Sequence, residues 1–181
     1  KEFLKSAIVV IGASILVRST VVQAYHVTSG SMEDTILTGD FVIADKLTYG
    51  TQVPDRLPFF ETKVPSFRMP GFSDPQPGEL VIIESPEDDS KDLFKRCIAV
   101  SGQTIEIRNK VIYVDGKPFE NPPGVKNTDP RVLPARFIAR DNYAPYKVPE
   151  NHIFVVGDNR DNSYDSRYFG PISLDNVKAR P

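Results

Sequence analysis

The sequence predicts an all-β domain that follows a short N-terminal helix. Beyond Gln23 the chain consists of short runs rich in β-branched residues, and the turns between them carry many of the 16 prolines and 11 glycines. No helical periodicity longer than two turns is found after residue 25, which argues against a helical bundle. We therefore expect strands joined by turns.

Length, charge and residue counts narrow the kinds of function. A chain of 181 residues suits one domain, or one domain with a modest insertion. The net charge of −2 gives no electrostatic reason to expect a nucleic-acid partner. One cysteine and two histidines exclude an internal disulfide, a cysteine-based zinc site and a histidine-rich metal site. We therefore expect neither a metal nor another cofactor.

The N-terminal apolar segment is predicted to be a single-pass membrane anchor over residues 3–22. The uninterrupted apolar run, Ala7–Val17, is shorter than the ~20 residues of a spanning helix, but the full segment reaches that length if Arg18 extends to the interface. Lys1 and Lys5 at its start predict that the rest of the chain lies on the extracytoplasmic side. A buried core helix is the alternative, and a cleavable signal peptide is disfavoured because no small-residue cleavage site follows.

Six strands are predicted from apolar runs bounded by turns. In chain order they span residues 41–45, 79–85, 93–100, 104–109, 110–116 and 152–158. The fourth and fifth strands alternate around Asn109-Lys110 and predict a β-hairpin.

Two proline-rich stretches interrupt the strand pattern. The first, at 47–78, contains many aromatic residues, and it is either an apolar surface near the membrane or a loop folded onto the core. The second, at 117–150, is predicted to be an inserted smaller lobe. The remaining β-domain then comprises residues 23–116 and 151–178.

A serine beside a glycine is the first candidate for chemistry. Ser31 follows Ser29-Gly30 and the strand-like segment Gln23–Thr28, so it is predicted to lie at a sharp turn that exposes its hydroxyl. Serine-glycine pairs are also common in ordinary loops, and an unreactive loop serine is the alternative.

Lys95, in the strand at 93–100, is the second candidate. Because side chains alternate across a strand, Lys95 is expected to share a small apolar face with Leu93, Cys97 and Ala99. Burial on that face disfavours the ammonium ion and lowers the lysine pKa toward about 7–8, which suits a general base. A lysine whose stem packs while its ammonium reaches water is the alternative.

The third candidate is the polar loop GDNRDNSYDSRYFG at 157–170, which follows an apolar strand. Its density of Asp, Asn, Ser and Arg predicts hydrogen bonds that orient neighbouring groups. A calcium loop is disfavoured because Arg160 replaces a ligand and Ser163 stands where such a loop needs glycine. A solvated acidic turn is the remaining alternative.

A histidine-based mechanism is disfavoured by position. His26 lies five residues before Ser31 in an extended segment, and His152 precedes a strand with no motif serine beside it. Both histidines are expected to be structural or exposed.

Together the candidate segments resemble the type I signal peptidase family. The matching blocks are SGSM-xx-T at 29–35, GDFVIADK at 39–46, FKRCIAVSG at 94–102 and GDNRDNSYDSR at 157–167. The resemblance covers most of residues 20–172 and implies coiled antiparallel sheets with an inserted lobe, anchored in the inner (plasma) or the thylakoid membrane. It implies that the partners are a lipid bilayer and preproteins bearing signal peptides, which are cut after small residues at A-x-A-like sites.

The resemblance also implies a role for each site residue. Ser31 is the nucleophile and Lys95 its general base, while the Ser31 N–H and the Ser29 hydroxyl form the oxyanion hole. Ser163 hydrogen-bonds and orients Lys95. Asp165 and Arg167 form a supporting pair that holds the loop, Asp158 and Arg160 stiffen the loop, and Met32 packs beneath the nucleophile. An extended substrate pairs with strand edges near Tyr25, Val27, Asp92 and Phe94.

Three loop positions depart from the family pattern. Thr28 and Asp34 stand where prolines are usual, and Ala99–Gln103 replaces a block that usually reads G-x-P-G-D. These changes flank the serine and the lysine without replacing them. Two other functions stay open: a membrane-tethered domain that binds exported chains without cutting them, and a self-cleaving repressor-type protease that also uses serine and lysine.

Overall fold

The computed structural model describes residues 2–50, 70–88, 90–136 and 138–181. Helix α1 spans Glu2–Thr20, and the strands that follow it form three antiparallel sheets. The predicted mostly-β architecture is therefore confirmed, with a helix at the predicted N-terminal position. Of the proline-rich stretch at 47–78, residues 51–69 lie outside the described residues, so its predicted role is untested.

Helix α1 exposes apolar side chains along its N-terminal part. Phe3 is 87% exposed and Val9 is 68% exposed. In the part of the chain that the structure describes, no helix has both the length and the apolar character needed to cross a membrane. The predicted use of residues 3–22 as a membrane anchor thus stays a prediction.

The first sheet pairs β1 (Val22–His26) with β2 (Phe41–Asp45). Side chains alternate across both strands, so that Tyr25 is buried while Phe41 and Ile43, on the opposite face, are more than 70% exposed (76% and 73%). The buried face packs onto the core, and the exposed face is apolar.

The remaining elements build the other two sheets. Strands β3 to β11 span, in chain order, Leu80–Glu84, Asp92–Val100, Thr104–Arg108, Val111–Val114, Lys117–Pro118, Tyr143–Lys147, His152–Val156, Ile172–Ser173 and Val177–Ala179. Helix α2 spans Ser166–Phe169. The second sheet has the order β10-β9-β4-β3-β11, with the nine-residue β4 at its centre.

A register irregularity in β4 changes which side chains share a face. Pairing between β4 and β9 shifts between Cys97 and Ala99. Leu93 and Cys97 pack in one apolar cluster, as alternation predicts, but Ala99 lies with Ile98 in a different cluster. The expectation that Ala99 shares a face with Leu93 and Cys97 is therefore wrong, because a bulge resets the alternation.

The third sheet has the order β7-β6-β5-β8 and includes the predicted hairpin. Asn109 and Lys110 both have positive φ, 49° and 71°, as a tight turn between two twisted strands requires. β5 pairs with β6 on one side and with β8, which comes from the predicted inserted lobe, on the other, and the lobe at 117–150 stays a prediction. Apolar residues of this sheet and of β4 and β9 share one cluster, so the two sheets pack on each other.

Candidate active site

Ser31 lies in a tight turn immediately after the first strand. The turn is a 3-10 helix over Gly30–Met32, closed by the N–H of Glu33 donating to the Gly30 carbonyl at 3.2 Å. Ser31 is 6% exposed, and its Oγ lies 3.3 Å from Ser29 Oγ. The two serine hydroxyls therefore project into the same space.

Lys95 meets this turn from the central strand of the second sheet. Its Nζ lies 2.7 Å from Ser31 Oγ, although 64 positions separate the two residues. Lys95 is 1% exposed, so the alternative in which its ammonium reaches water does not hold. Burial lowers the lysine pKa to about 8, Asp165 and Asp158 act in the opposite direction, and Arg167 reinforces the lowering.

A cleft of about 300 Å³ opens beside these two side chains. Leu93 and Tyr164 line its walls, and the Tyr164 hydroxyl donates to Glu87 Oε1 at 2.6 Å across it. In the described part of the chain, β4 pairs with β9 only from Arg96 onward, whereas residues 92–95 pair with β3 alone. One edge of β4 next to Lys95 is therefore available to an extended chain.

The four predicted substrate-contacting residues do not line this cleft themselves, although Asp92 and Phe94 alternate along β4 with Leu93 and Lys95, which do. The rings of Tyr25 and Phe94 meet edge to face at a centroid distance of 6.3 Å, and Val27 packs in the same buried cluster. Asp92 is partly exposed at the start of β4, and its Oδ1 lies 2.9 Å from Lys178 Nζ. Three of the four side chains are therefore part of the core, and only Asp92 is partly exposed.

Asp158 is bound by an arginine from the neighbouring strand. Arg96 binds it with two parallel hydrogen bonds of 2.8 Å and 2.6 Å, and Thr35 Oγ1 donates to it at 2.7 Å. Arg160 instead donates to Asn121 at 2.8 Å, and burial lowers the pKa of Arg160 to about 10. Arg96 thus holds Asp158 from the neighbouring strand, and the expected role of Asp158 and Arg160 in stiffening the loop stays a prediction.

Sequence reasoning missed Arg96 as a site residue. It follows Lys95 directly, so strand alternation directs the two side chains to opposite faces. A buried arginine in a central strand requires a carboxylate partner, and that requirement is the signal that points to Arg96.

Asp165 and Arg167 lie together as predicted from the resemblance. Arg167 donates from Nε and Nη2 to the two carboxylate oxygens, both at 2.8 Å, and Arg167 also donates to the carbonyls of Arg140 and Arg160. Asp165 in addition accepts the Gly157 N–H at 3.1 Å. The pair therefore connects several backbone segments of the polar loop.

Ser163 is buried next to Gly157, and the described structure has no hydrogen bond from Ser163 to Lys95. Within the described residues, Ser163 Oγ has no hydrogen-bond partner. It lies close to Gly157 and to the Ser31 carbonyl, since a side chain added at Gly157 would meet both. Ser163 thus contributes an unused hydroxyl to the site.

Met32 packs beneath the turn at Gly30–Met32 that carries Ser31, where the resemblance places it. It is 1% exposed, and its Sδ accepts the Asp158 N–H at 3.3 Å. The polar loop and the serine turn are therefore packed against each other through this side chain.

The two histidines make their contacts elsewhere. The His26 ring lies 5.0 Å from that of Phe41, and His152 Nδ1 lies 2.7 Å from the Glu150 carbonyl oxygen. Neither contact involves Ser31. Ser31 instead has a buried amine beside its hydroxyl, and such a pair of groups can act as a nucleophile and its base.

Comparison with known proteins gives consistent matches. Residues 1–181 match the family described as signal peptidase, peptidase S26. The chain is 31% identical to signal peptidase I of Pseudomonas aeruginosa, in an alignment that covers 93% of this chain and 62% of that protein. It is also 31% identical to thylakoidal processing peptidase 1 of Arabidopsis thaliana, with 99% and 46% covered.

One solved structure is similar to part of this chain. A signal peptidase I from Enterococcus faecalis matches 60% of this chain and 97% of its own chain, with 26% identity and a TM-score of 0.47. The present chain spans 62% of the length of the Pseudomonas relatives.

Proposed function

This chain belongs to the signal peptidase S26 family, and from that membership we propose that it is a membrane-bound serine endopeptidase that removes signal peptides from exported preproteins. The observation that carries the proposal is the distance of 2.7 Å between Ser31 Oγ and Lys95 Nζ, at a lysine that is 1% exposed. A buried amine with a lowered pKa and a serine hydroxyl within hydrogen-bond distance form a nucleophile and its base.

The first half of the reaction uses the two side chains in sequence. Neutral Lys95 takes the hydroxyl proton as Ser31 Oγ attacks the scissile carbonyl carbon. The Ser31 N–H and the Ser29 hydroxyl stabilise the oxyanion, and Lys95 then returns the proton to the departing amine. A water activated by Lys95 hydrolyses the ester on Ser31 and regenerates the enzyme.

Specificity for small residues is proposed to come from the strand edges around the cleft. An extended signal peptide that pairs with β4 near Asp92–Phe94 places alternate side chains toward the core. Tyr25, Val27 and Phe94 already fill that core, and Phe94 is 5% exposed. Only small side chains fit there, which accounts for an A-x-A-like site.

A membrane location on the extracytoplasmic side is proposed for the same domain. Phe41 and Ile43 expose apolar surface on the sheet that directly follows α1, and α1 itself exposes apolar side chains. Apolar surface in this amount is typical of contact with a bilayer. The relatives include a thylakoidal enzyme, so the inner (plasma) membrane and the thylakoid membrane both agree with the proposal.

The decisive experiment is cleavage of a preprotein with an alanine-x-alanine site in detergent. Wild type, Ser31→Ala and Lys95→Ala are compared, and a preprotein with a bulky residue in place of the last alanine is the substrate control. We expect wild type alone to cut, and only the alanine site. Activity in Ser31→Ala would exclude the nucleophile, and binding of the signal peptide without cutting by wild type would favour the non-catalytic alternative.

Flotation with liposomes tests the membrane contact. Wild type is expected to float with anionic and with neutral vesicles, and Phe41→Ser/Ile43→Ser is expected to float less. Equal flotation of the two proteins would remove the sheet from the proposed contact and leave α1 as the anchor.

A further inference from the structure

The backbone of the nucleophile turn is held from outside by one residue of the polar loop. The N–H of Asn159 donates to the Ser31 carbonyl at 3.0 Å, and its Nδ2 donates to the Gly30 carbonyl at 3.1 Å. The Gly30 carbonyl belongs to the same peptide unit as the Ser31 N–H, and the Ser31 carbonyl belongs to the next unit along the chain. The position of Asn159 therefore determines where that N–H points.

Asn159 is in turn held by a strand-like contact from the connecting segment between β7 and β8 of the third sheet. Lys126 accepts the Arg160 N–H at 3.0 Å and donates its own N–H to the Asp158 carbonyl at 2.9 Å, on either side of Asn159. This contact fixes the polar loop from its far side.

The Lys126 side chain reaches past Asn159 to the nucleophile turn itself. Its Nζ lies 2.9 Å from Asp34 Oδ2 and 3.2 Å from Glu33 Oε2, and Asn159 Nδ2 donates to the same Glu33 oxygen at 3.1 Å. Asp34 has a φ of 74°, a left-handed conformation that few residues other than glycine adopt. Lys126 therefore holds the end of the turn at a point where the backbone is in an unfavourable conformation.

The connecting segment also fits closely against the turn. A side chain on Gly124, which has a φ of 92°, would lie 2.7 Å from Thr35 Oγ1 and 3.2 Å from the Asp34 carbonyl oxygen. This approach places Lys126 where it can contact the turn and the loop together.

We propose that Lys126 is a positioning residue that aligns the Ser31 N–H for stabilisation of the oxyanion, by bridging Asp34 and Glu33 to the loop that carries Asn159. The proposal rests on the proposed function. Lys126 touches neither Ser31 nor Lys95 in the described structure, so its effect is on orientation rather than on proton transfer. Small misplacements of an oriented group have large effects on rate, whereas a half-exposed ion pair contributes little to folding.

Steady-state cleavage of the alanine-x-alanine preprotein tests this role. Lys126→Met is expected to lower kcat by about 5- to 10-fold with KM within about twofold of wild type. The apparent pKa of the pH–rate profile is expected to stay unchanged because Lys95 is untouched. Lys126→Arg, which keeps the charge and hydrogen bonds, is expected to restore kcat, and Lys147→Met on the exposed strand β8 is the matched control.

A double variant tests whether Lys126 acts through its ion pair with Asp34. Asn tolerates a left-handed backbone, so Asp34→Asn removes the charge without changing the turn. Asp34→Asn/Lys126→Met is expected to be no slower than Lys126→Met alone. Unchanged kcat in Lys126→Met, or loss of kcat that Arg does not restore, overturns the proposal while wild-type cleavage keeps the proposed function. A wild type that does not cut at all counts against the proposed function instead.

Discussion

Lys95 Nζ and Ser31 Oγ are 2.7 Å apart, and the lysine that makes this contact is 1% exposed. The same burial has two consequences. It lowers the pKa of the amine to about 8, so that a neutral fraction is present near physiological pH, and it destabilises the folded chain whenever that amine is charged.

The rate of cleavage is expected to rise with pH through about 8. Burial lowers the pKa of Lys95 from its ordinary value of 10.5 to about 8, and only the neutral amine accepts the serine proton. The measurement is kcat/KM between pH 6 and pH 10 on the alanine-x-alanine preprotein. A rate that is independent of pH across this range would argue against Lys95 as the base.

Lys95→Met is expected to be inactive and yet more stable than wild type at pH 7. The unfolded chain binds the lysine proton more tightly than the folded chain, so wild-type stability increases as pH rises from 8 to 10.5 and the cost is fully present below pH 8. That cost is about 3 kcal/mol. Urea unfolding at pH 7 and pH 10 measures it, with Lys147→Met as the control.

The gain in Lys95→Met should be largest at pH 7 and should shrink toward pH 10. A variant that is less stable than wild type at pH 7 would mean that the methionine packs poorly or that the lysine is not strained. A gain of the same size at both pH values would exclude protonation as its cause.

Local features of the chain were predictable from the sequence. The strand at 41–45 and the hairpin turn at Asn109-Lys110 are found where apolar alternation and turn residues place them. The burial of Lys95 follows from its position in an apolar strand, and the structure agrees. These features depend on neighbours within a few residues, which is the range over which sequence patterns carry information.

Long-range contacts were not predictable in the same way. The Asp158–Arg96 pair joins residues 62 positions apart, and it depends on which strands are adjacent in the sheet. The bulge between Cys97 and Ala99 is likewise a property of the pairing with β9, not of the β4 sequence. Ala99 was assigned to the wrong face because alternation was extended without knowledge of the register, and Arg96 was missed because its carboxylate partner is distant in sequence.

The Arg96–Asp158 pair is expected to be essential for folding. The two side chains are 7% and 0% exposed, and removal of one partner leaves a buried charge without compensation. Asp158→Asn is expected to lower the free energy of unfolding by about 3–5 kcal/mol. Urea denaturation measures this loss, and Arg131→Met, in a pair where the arginine is 76% exposed, is expected to change stability little.

A double variant checks that the two residues act as a pair. Arg96→Met/Asp158→Asn is expected to lose less stability than the two single variants added together, because no unpaired charge remains. Simple additivity would show that each side chain contributes independently.

Ser163→Ala is expected to separate activity from stability. The Ser163 hydroxyl is buried without a hydrogen-bond partner in the described structure, so its removal leaves nothing unsatisfied and stability should not fall. If the hydroxyl turns to orient Lys95 during the reaction, kcat should fall by about 10-fold or more. Thermal unfolding and kcat are measured on the same samples, and unchanged kcat would remove Ser163 from the proposed site.

Gly157→Ala is expected to damage the site through packing alone. A Cβ at this position would overlap Ser163 Oγ and would lie 2.5 Å from the Ser31 carbonyl oxygen, so one of the two must move. We expect a loss of about 1–3 kcal/mol in stability and a fall in kcat of about 100-fold, because the shift reaches the peptide that carries the nucleophile. Gly12→Ala is the control, since a Cβ there meets no atom within 4 Å.

The double variant Gly157→Ala/Ser163→Gly identifies which neighbour gives way. When the Ser163 side chain is removed, the new Cβ at position 157 still overlaps the Ser31 carbonyl oxygen but no longer overlaps Ser163. If stability returns while kcat stays low, the clash with Ser163 caused the destabilisation and the displaced Ser31 carbonyl caused the loss of rate. Full activity in Gly157→Ala itself would show that the turn tolerates displacement, and the close packing of loop and turn would then have no part in catalysis.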